Sequence, residues 1–171
     1  MKVNLKKLVF GAMMTALCVV IGLVCKTYLT FGAIRITFEN LPVLLAGIVL
    51  GPVYGAVVGI ASDLISAPLS GFGINPVITL GAALIGFVSG ILSNHVLKKK
   101  SFLSITASCI TAHSVGSMLV KSAGLLMYSY PIQMVLLRVP LYLAIGAVES
   151  YFIYCLLKNK AILNFSNEVK K

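Results

Sequence analysis

The chain has 171 residues, of which 59% are hydrophobic and only 11% charged, and it carries a formal net charge of +10. A soluble domain holds roughly a quarter charged residues, and with a mean hydropathy of +1.03 the apolar content here is too large for one small core, so lipid is the solvent that suits it. The basicity excludes a nucleic-acid surface by its placement, because ten of the fourteen basic residues fall into three groups: Lys2, Lys6 and Lys7; Lys98, Lys99 and Lys100; and Lys158, Lys160, Lys170 and Lys171.

Membrane burial leaves only helices or a closed barrel. The apolar stretches, Leu8–Val24 and Phe102–Ile110 among them, are continuous and lack the period of two that a barrel requires. Helices are therefore predicted at about 8–25, 36–50, 53–67, 77–97, 102–126 and 132–157, making an all-α integral membrane protein of six transmembrane helices in one embedded domain. The three lysine groups fall on one side after an even number of crossings, which predicts cytoplasmic N and C termini.

The first helix follows Met1–Lys7 and reads as a retained span, since no cleavage site with polar mature sequence comes after it. A polar outward loop, Lys26–Arg35, leads to the second helix, with Pro42 near its start. Gly51-Pro52 breaks the chain on the inner side, the third helix returns outward, and Ser66–Pro76 forms an external loop. The second and third helices, about 15 residues each, are short for a ~20-residue span, so a re-entrant hairpin is an alternative that keeps the termini on the same side. Small residues recur every fourth position at Ala12 and Ala16; Gly47, Gly51, Gly55 and Gly59; Ala82, Gly86 and Gly90; and Ala112 and Gly116. One helix face of small residues lets two backbones approach closely. Cys18, Cys25, Cys109 and Cys155 have no CxxC spacing and read as membrane-buried thiols.

Charges at membrane depth cost at least ~2.5–3.5 kcal/mol each, so they face a cavity or a partner. Glu39, Asp63, Lys121 and Arg138 fall at similar depth near the outer ends of four different helices, with Lys26 and Arg35 in the first external loop. Asn40, Asn75, Thr79, Tyr128, Tyr130 and Gln133 share that level. Together they predict an outward-facing site with apolar walls, a few convergent polar groups and aromatic rings for a flat ligand. The competing expectation is that Asp63–Arg138 or Glu39–Lys121 are ion pairs holding helices together. Glu149 is placed deeper, as a packing or gating residue. His113 reads as a lone, satisfied buried histidine, since one imidazole makes neither a metal site nor a catalytic dyad.

No HExxH, GxSxG or phosphate-binding glycine loop is present, so no enzyme, cofactor or metal is expected, and energy from ATP has to come from a partner. A chain this short also leaves no room for the inverted repeats of secondary transporters. The remaining rival classes are an intramembrane enzyme or assembly factor acting through Asp63 and His113, and a ligand-free structural bundle.

RITFENLP (Arg35–Pro42), LAGIVLGP (Leu45–Pro52) with Gly55, ASDLI (Ala61–Ile65), Asn75-Pro76 with TLGAALIG (Thr79–Gly86), and RVP (Arg138–Pro140) resemble the integral-membrane S components of energy-coupling factor (ECF) vitamin transporters. The pattern is most similar to the folate family. Riboflavin subunits share the start of the second helix but carry Lys-Asn where Ser62-Asp63 stands; the tryptophan-rich thiamine site is impossible without Trp; pantothenate and pyrimidine-precursor subunits share much of the Gly-Pro…Asp pattern. The resemblance implies a vitamin ligand, folate foremost, bound by Arg35, Glu39, Asn40, Asp63, Asn75, Thr79, Lys121, Tyr128, Tyr130 and Arg138. It further implies that AMMTA (Ala12–Ala16) docks on a transmembrane coupling subunit driven by two ATPases, in a prokaryotic plasma membrane.

Overall fold

The computed structural model describes residues 5–31, 34–71, 73–97, 101–127 and 131–170, with side chains for all of these but Phe31, Ile34, Arg35, Met134, Val169 and Lys170. The described chain is helical apart from one small hairpin. Helix α1 (Leu5–Tyr28) leads to strands β1 (Thr30–Phe31) and β2 (Ile34–Arg35), paired antiparallel with Thr30 opposite Arg35. There follow α2 (Asn40–Leu50), α3 (Pro52–Leu69), α4 (Pro76–Ile91), α5 (Phe102–His113), α6 (Ser122–Leu126), α7 (Ile132–Lys158) and α8 (Lys160–Lys170). Wide π turns interrupt this pattern twice, at Leu92–Val96 after α4 and at Ser114–Lys121 between α5 and α6.

Among the described residues five helical segments are long and apolar enough to cross a membrane: Leu5–Tyr28, Pro52–Leu69, Pro76–Val96, Phe102–Leu126 and Val135–Lys158. Their outward faces carry large apolar side chains in water-inaccessible numbers, from Leu8, Val9 and Met13 on α1 to Leu136, Leu143 and Phe152 on α7, all well exposed. A soluble protein rarely leaves so much contiguous oil uncovered. These faces meet lipid, and the chain is a multi-pass membrane protein.

The exception is α2. Its 11 residues rise only about 16 Å, well short of the ~30 Å hydrocarbon layer. The expected second helix over 36–50 thus begins four residues later, because Ile36–Phe38 lie outside any regular element and the chain turns at Glu39. From Pro42 to Leu50 every residue of α2 is buried, so protein rather than lipid surrounds it. Gly51 joins α2 to α3 at φ 102°, a left-handed conformation that favours glycine, and Pro52 then starts α3 with the φ a helix needs. The third helix reaches 18 residues rather than 15.

The small-residue spacing does what close packing requires. A Cβ on Gly55 would lie 2.6 Å from the Gly47 Cα and collide with the Gly86 carbonyl; one on Gly90 would lie 2.6 Å from the Pro52 Cα; one on Gly59 would overlap Ala82. Helices α2, α3 and α4 therefore touch backbone to backbone, the arrangement that replaces the hydrophobic effect where the solvent is itself apolar. Ser62 and Ser89 lie buried there and satisfy themselves by donating to the carbonyls of Gly59 and Gly86, each at 3.0 Å.

The last helix, α8, lies beyond the expected end of the sixth span. Its Phe165 stacks on Phe10 of α1 at 5.0 Å between centroids, and Glu168 accepts from Lys6 at 2.6 Å. The start of α1 and α8 are thereby fastened to each other.

Candidate functional site

The N-terminal end of α2 is built from buried polar groups. Asn40, its first residue, is 2% exposed, and its Oδ1 accepts from the Lys121 Nζ at 3.4 Å. Lys121 is itself 7% exposed. Two features of the sequence put an ammonium so deep. The π turn over Ser114–Lys121 adds residues to the turn, so that His113, Ser117, Lys121 and Ser122 all stay on the inward, buried face. Gly81 of α4 then leaves space for the stem: a Cβ there would come 2.5 Å from the Lys121 Cγ. The Asn40 Nδ2, buried in the same place, has no hydrogen-bond partner among the described residues.

Glu39 precedes Asn40 and is held by its backbone. Its N–H donates to the Thr37 Oγ1 at 3.2 Å, and its carbonyl accepts from the Cys18 thiol at 2.8 Å. The Glu39 carboxylate packs over α1 at Gly22, where an added Cβ would fall 2.9 Å from its Oε2. Cys18, expected to be an inert packing thiol, thus donates a bond that fixes the entry to α2.

A second polar group joins α3 to α4. The Asp63 Oδ2 accepts from the Thr79 Oγ1 at 2.6 Å. Asn75 caps α4 by accepting from the Val77 and Ile78 N–H groups at 2.9 and 3.4 Å. Its Nδ2 donates to the Gly124 carbonyl of α6 at 3.3 Å, which ties the start of α4 to the Lys121 segment. Thr79 and Gly81, two residues apart on a helix, face nearly opposite ways, so α4 stands between the Asp63 pair and Lys121.

A third group lies on α7. Arg138 sits over the Tyr142 ring at 5.1 Å and donates to its hydroxyl at 3.2 Å, while its Nε is buried without a partner among the described residues. Asp63 and Arg138 take different partners, which disfavours the expected Asp63–Arg138 ion pair. Tyr128 and Tyr130 lie outside the described residues, as does the side chain of Arg35, whose backbone ends β2.

His113 is the satisfied, buried histidine expected, but it is not alone. Its Nε2 lies 2.6 Å from the Glu149 Oε2, its Nδ1 lies 3.2 Å from the Ser117 Oγ, and both His113 and Glu149 are fully buried. The missed signal was depth: counted at ~1.5 Å per residue from the inner ends of their helices, the two fall within about a turn of each other. His113 is thus held by Glu149 and Ser117, and Asp63 by Thr79.

Ala12 and Ala16, the expected docking pair, are both exposed on the outward face of α1, beside Val9, Met13 and Val20.

Chemically, a buried cation with a free amide donor beside it is suited to a carboxylate, and the carboxylates of Glu39, next to Asn40, and of Asp63, across α4, are suited to amines. This is binding chemistry inside a membrane protein. A search of the curated proteins finds no match to the sequence. The family described as ECF transporter, substrate-specific component, matches over residues 6–160, nearly the whole chain. A multi-pass helical protein with its polar groups gathered inside and matched along its length in this way belongs to the family of substrate-specific components of ECF transporters.

Proposed function

We propose that the chain is the vitamin-capturing subunit of an ECF-type importer in a prokaryotic plasma membrane, with folate as its substrate. The observation that carries this reading is the Asn40–Lys121 pair: an ammonium and an amide, both buried, with the Asn40 Nδ2 unsatisfied. Leaving a buried donor unbonded costs ~1–3 kcal/mol, more when a charge is beside it. A ligand carboxylate would remove that cost by accepting from both groups.

Folate has two tail carboxylates and a planar pterin with donor edges. In this reading Lys121 and Asn40 take a carboxylate, with Arg35 and Arg138 as further cations, arginine as a bidentate fork. Glu39 or Asp63 accepts from the pterin amine and ring N–H, Asn75 and Thr79 hold Asp63 in place, and Tyr128 and Tyr130 stack on the rings. Pantothenate, with one carboxylate and no ring, is the alternative substrate and would leave the acids and tyrosines unused.

The topology that goes with this reading has six helices in one domain, counting buried α2 as the second, and cytoplasmic termini. The lysine groups support the termini, and the fastening of α8 to α1 agrees with both ends lying on one side. The exposed Ala12–Ala16 face of α1 docks on the coupling subunit, which two ATPases drive. Vitamin uptake into liposomes should therefore require the complete partner module. Concentrative uptake by this chain alone, driven by an ion gradient, would reject the proposal.

A further inference from the structure

Helix α8 takes no part in the proposed capture site, and it starts where the family match stops, at residue 160. Its 11 residues are too few for an isolated helix to be stable in water, so its contacts hold it. Asn159 caps it, with Oδ1 accepting from the Ala161 N–H at 3.0 Å. Ile162, Phe165 and Ser166 form one stripe at helical spacing. Ile162 and Phe165 pack on the core cluster that contains Leu50 of α2 and Leu157 of α7, and Ser166 is fully buried. Lys160, Asn164, Asn167 and Glu168 make the opposite stripe, and all four are exposed. An apolar stripe toward the bundle and a polar one toward water mark a surface helix that rests on protein.

Its other contacts are with α1. Phe165 stacks on Phe10 at 5.0 Å between centroids, and Glu168 accepts from Lys6 at 2.6 Å. Both contacts reach a poorly enclosed stretch of α1. Leu5, Leu8 and Val9 there are all more than half exposed, and Gly11 is the first buried residue of the helix. Phe10 and Ala12 are two residues apart, about 200° around a helix. Helix α8 therefore grips α1 from behind and leaves the face of exposed Ala12 and Ala16 open. Farther along, α1 is fixed independently: the Cys18 thiol donates to the Glu39 carbonyl at 2.8 Å, and Gly22 lies against the Glu39 side chain. Loosening α8 thus frees the beginning of α1 and leaves the Asn40 end of α2 as it was.

We infer that α8 is a brace that holds the first turns of α1 in the position from which Ala12 and Ala16 dock on the transmembrane coupling subunit. The docking partner rests on the function proposed above. A protein whose docking helix is in place only part of the time binds its partner with an affinity reduced by that fraction. Opening the brace therefore weakens docking without touching Asn40 or Lys121. Phe10, Phe165, Lys6 and Glu168 are positioning residues, since none of them belongs to the Ala12–Ala16 face.

The test uses the full chain in nanodiscs with a complete partner module, the coupling subunit and its two ATPases. Module affinity, folic acid affinity and amide exchange are read side by side. In Phe165→Ala with Glu168→Gln, exchange over α8 and the first turns of α1 should quicken. Module affinity should fall by up to about tenfold, the worth of one aromatic pair, with folic acid affinity unchanged. Phe165→Tyr keeps the ring and should dock as the wild type does. Ala12→Leu fills the docking face directly and should lose docking with α8 exchange unchanged. Wild-type docking by the loosened chain, or exchange that does not quicken, overturns the brace. An equal fall in folic acid affinity also overturns it, because α8 would then support the whole bundle. Undiminished docking by Ala12→Leu is the separate failure of the α1 docking face and takes the brace with it. Docking that follows α8 in a chain that binds no folic acid sinks the folate reading and leaves the brace standing.

Discussion

The two halves of the bundle are held by opposite means. Helices α2, α3 and α4 meet through Gly47, Gly55, Gly59, Gly86 and Gly90, with backbone against backbone and almost no side chain between. On the other side, α5, the π turn after it and α7 meet through side-chain chemistry: His113 to Glu149, Ser117 to His113, and Thr106 to Ser150 at 3.1 Å. The first kind of contact has no adjustable part and fixes geometry. The second is made of hydrogen-bonding side chains, with the Lys121 ammonium buried at its edge. Asn40 and Lys121 sit where the two halves touch, one residue from each. A binding site needs both a rigid wall and a polar one, and the division supplies them.

The largest effect should come from breaking the hydrogen-bonded half on one side only. Glu149→Leu leaves His113 buried without its acceptor and is expected to cost about 3–5 kcal/mol, read as a large drop in the thermal midpoint in detergent. The double change His113→Leu with Glu149→Leu should recover most of that loss, because a well-packed apolar pair is nearly neutral in place of a buried ionic one. A double variant as unstable as the single would mean that the contact is ordinary packing.

In the rigid half, Gly86→Val should cost about 3 kcal/mol, the upper end for overpacking, since the added atoms meet the backbone of Gly55 and no rotamer can move aside. Gly73 is the control: open space surrounds it, so Gly73→Ala should leave the melting profile unchanged. Equal effects at the two glycines would erase the distinction between the halves.

Where the halves meet, Lys121→Met keeps the stem and removes the charge. Affinity for folic acid should fall by roughly 10- to 100-fold, the worth of a hydrogen bond to a charged group, with thermal stability little changed, since removal of a buried cation offsets the Asn40 Oδ1 left without its donor. Parallel losses of stability and affinity would make Lys121 a structural residue.

The smallest effect belongs to the link between the start of α1 and α8. The Lys6 ammonium beside Glu168 holds that carboxyl below its ordinary range. A group depressed in the folded state contributes stability above its unfolded value and loses it as pH falls through the folded one. Glu168→Gln should therefore remove a slight acid-side slope from the thermal midpoint and change nothing at neutral pH beyond the small worth of an exposed pair.

Much of this organisation was legible in the residues. Continuous apolar runs marked the long helices, and the four-residue spacing of Gly47, Gly55, Gly59, Ala82, Gly86 and Gly90 pointed to tight packing without saying that α2 and α3 would meet α4. The irregular entry to α2 was not legible, because Ile36–Phe38 is as apolar as the helix it precedes and only the Cys18 and Thr37 bonds at Glu39 mark the turn. The π turn was also hidden: Ser114–Lys121 reads as ordinary helix, and its Gly116 and Lys121 pack against Gly81 and Ile85 of α4. For the site, the sequence named Asn40 with Lys121 and Asp63 with Thr79 as members of one polar level without saying which would bond. Depth alone cannot tell that α4 separates those two pairs, nor that His113 turns toward Glu149.

The most direct test of the buried cation and amide as a carboxylate site is mass spectrometry of small molecules released from gently purified protein, wild type beside Lys121→Met. A carboxylated vitamin should accompany the wild type in near-stoichiometric amount and be missing from the variant, while both melt alike. The same molecule in equal amount from both proteins, or none from the wild type after incubation with folic acid, would contradict the assignment.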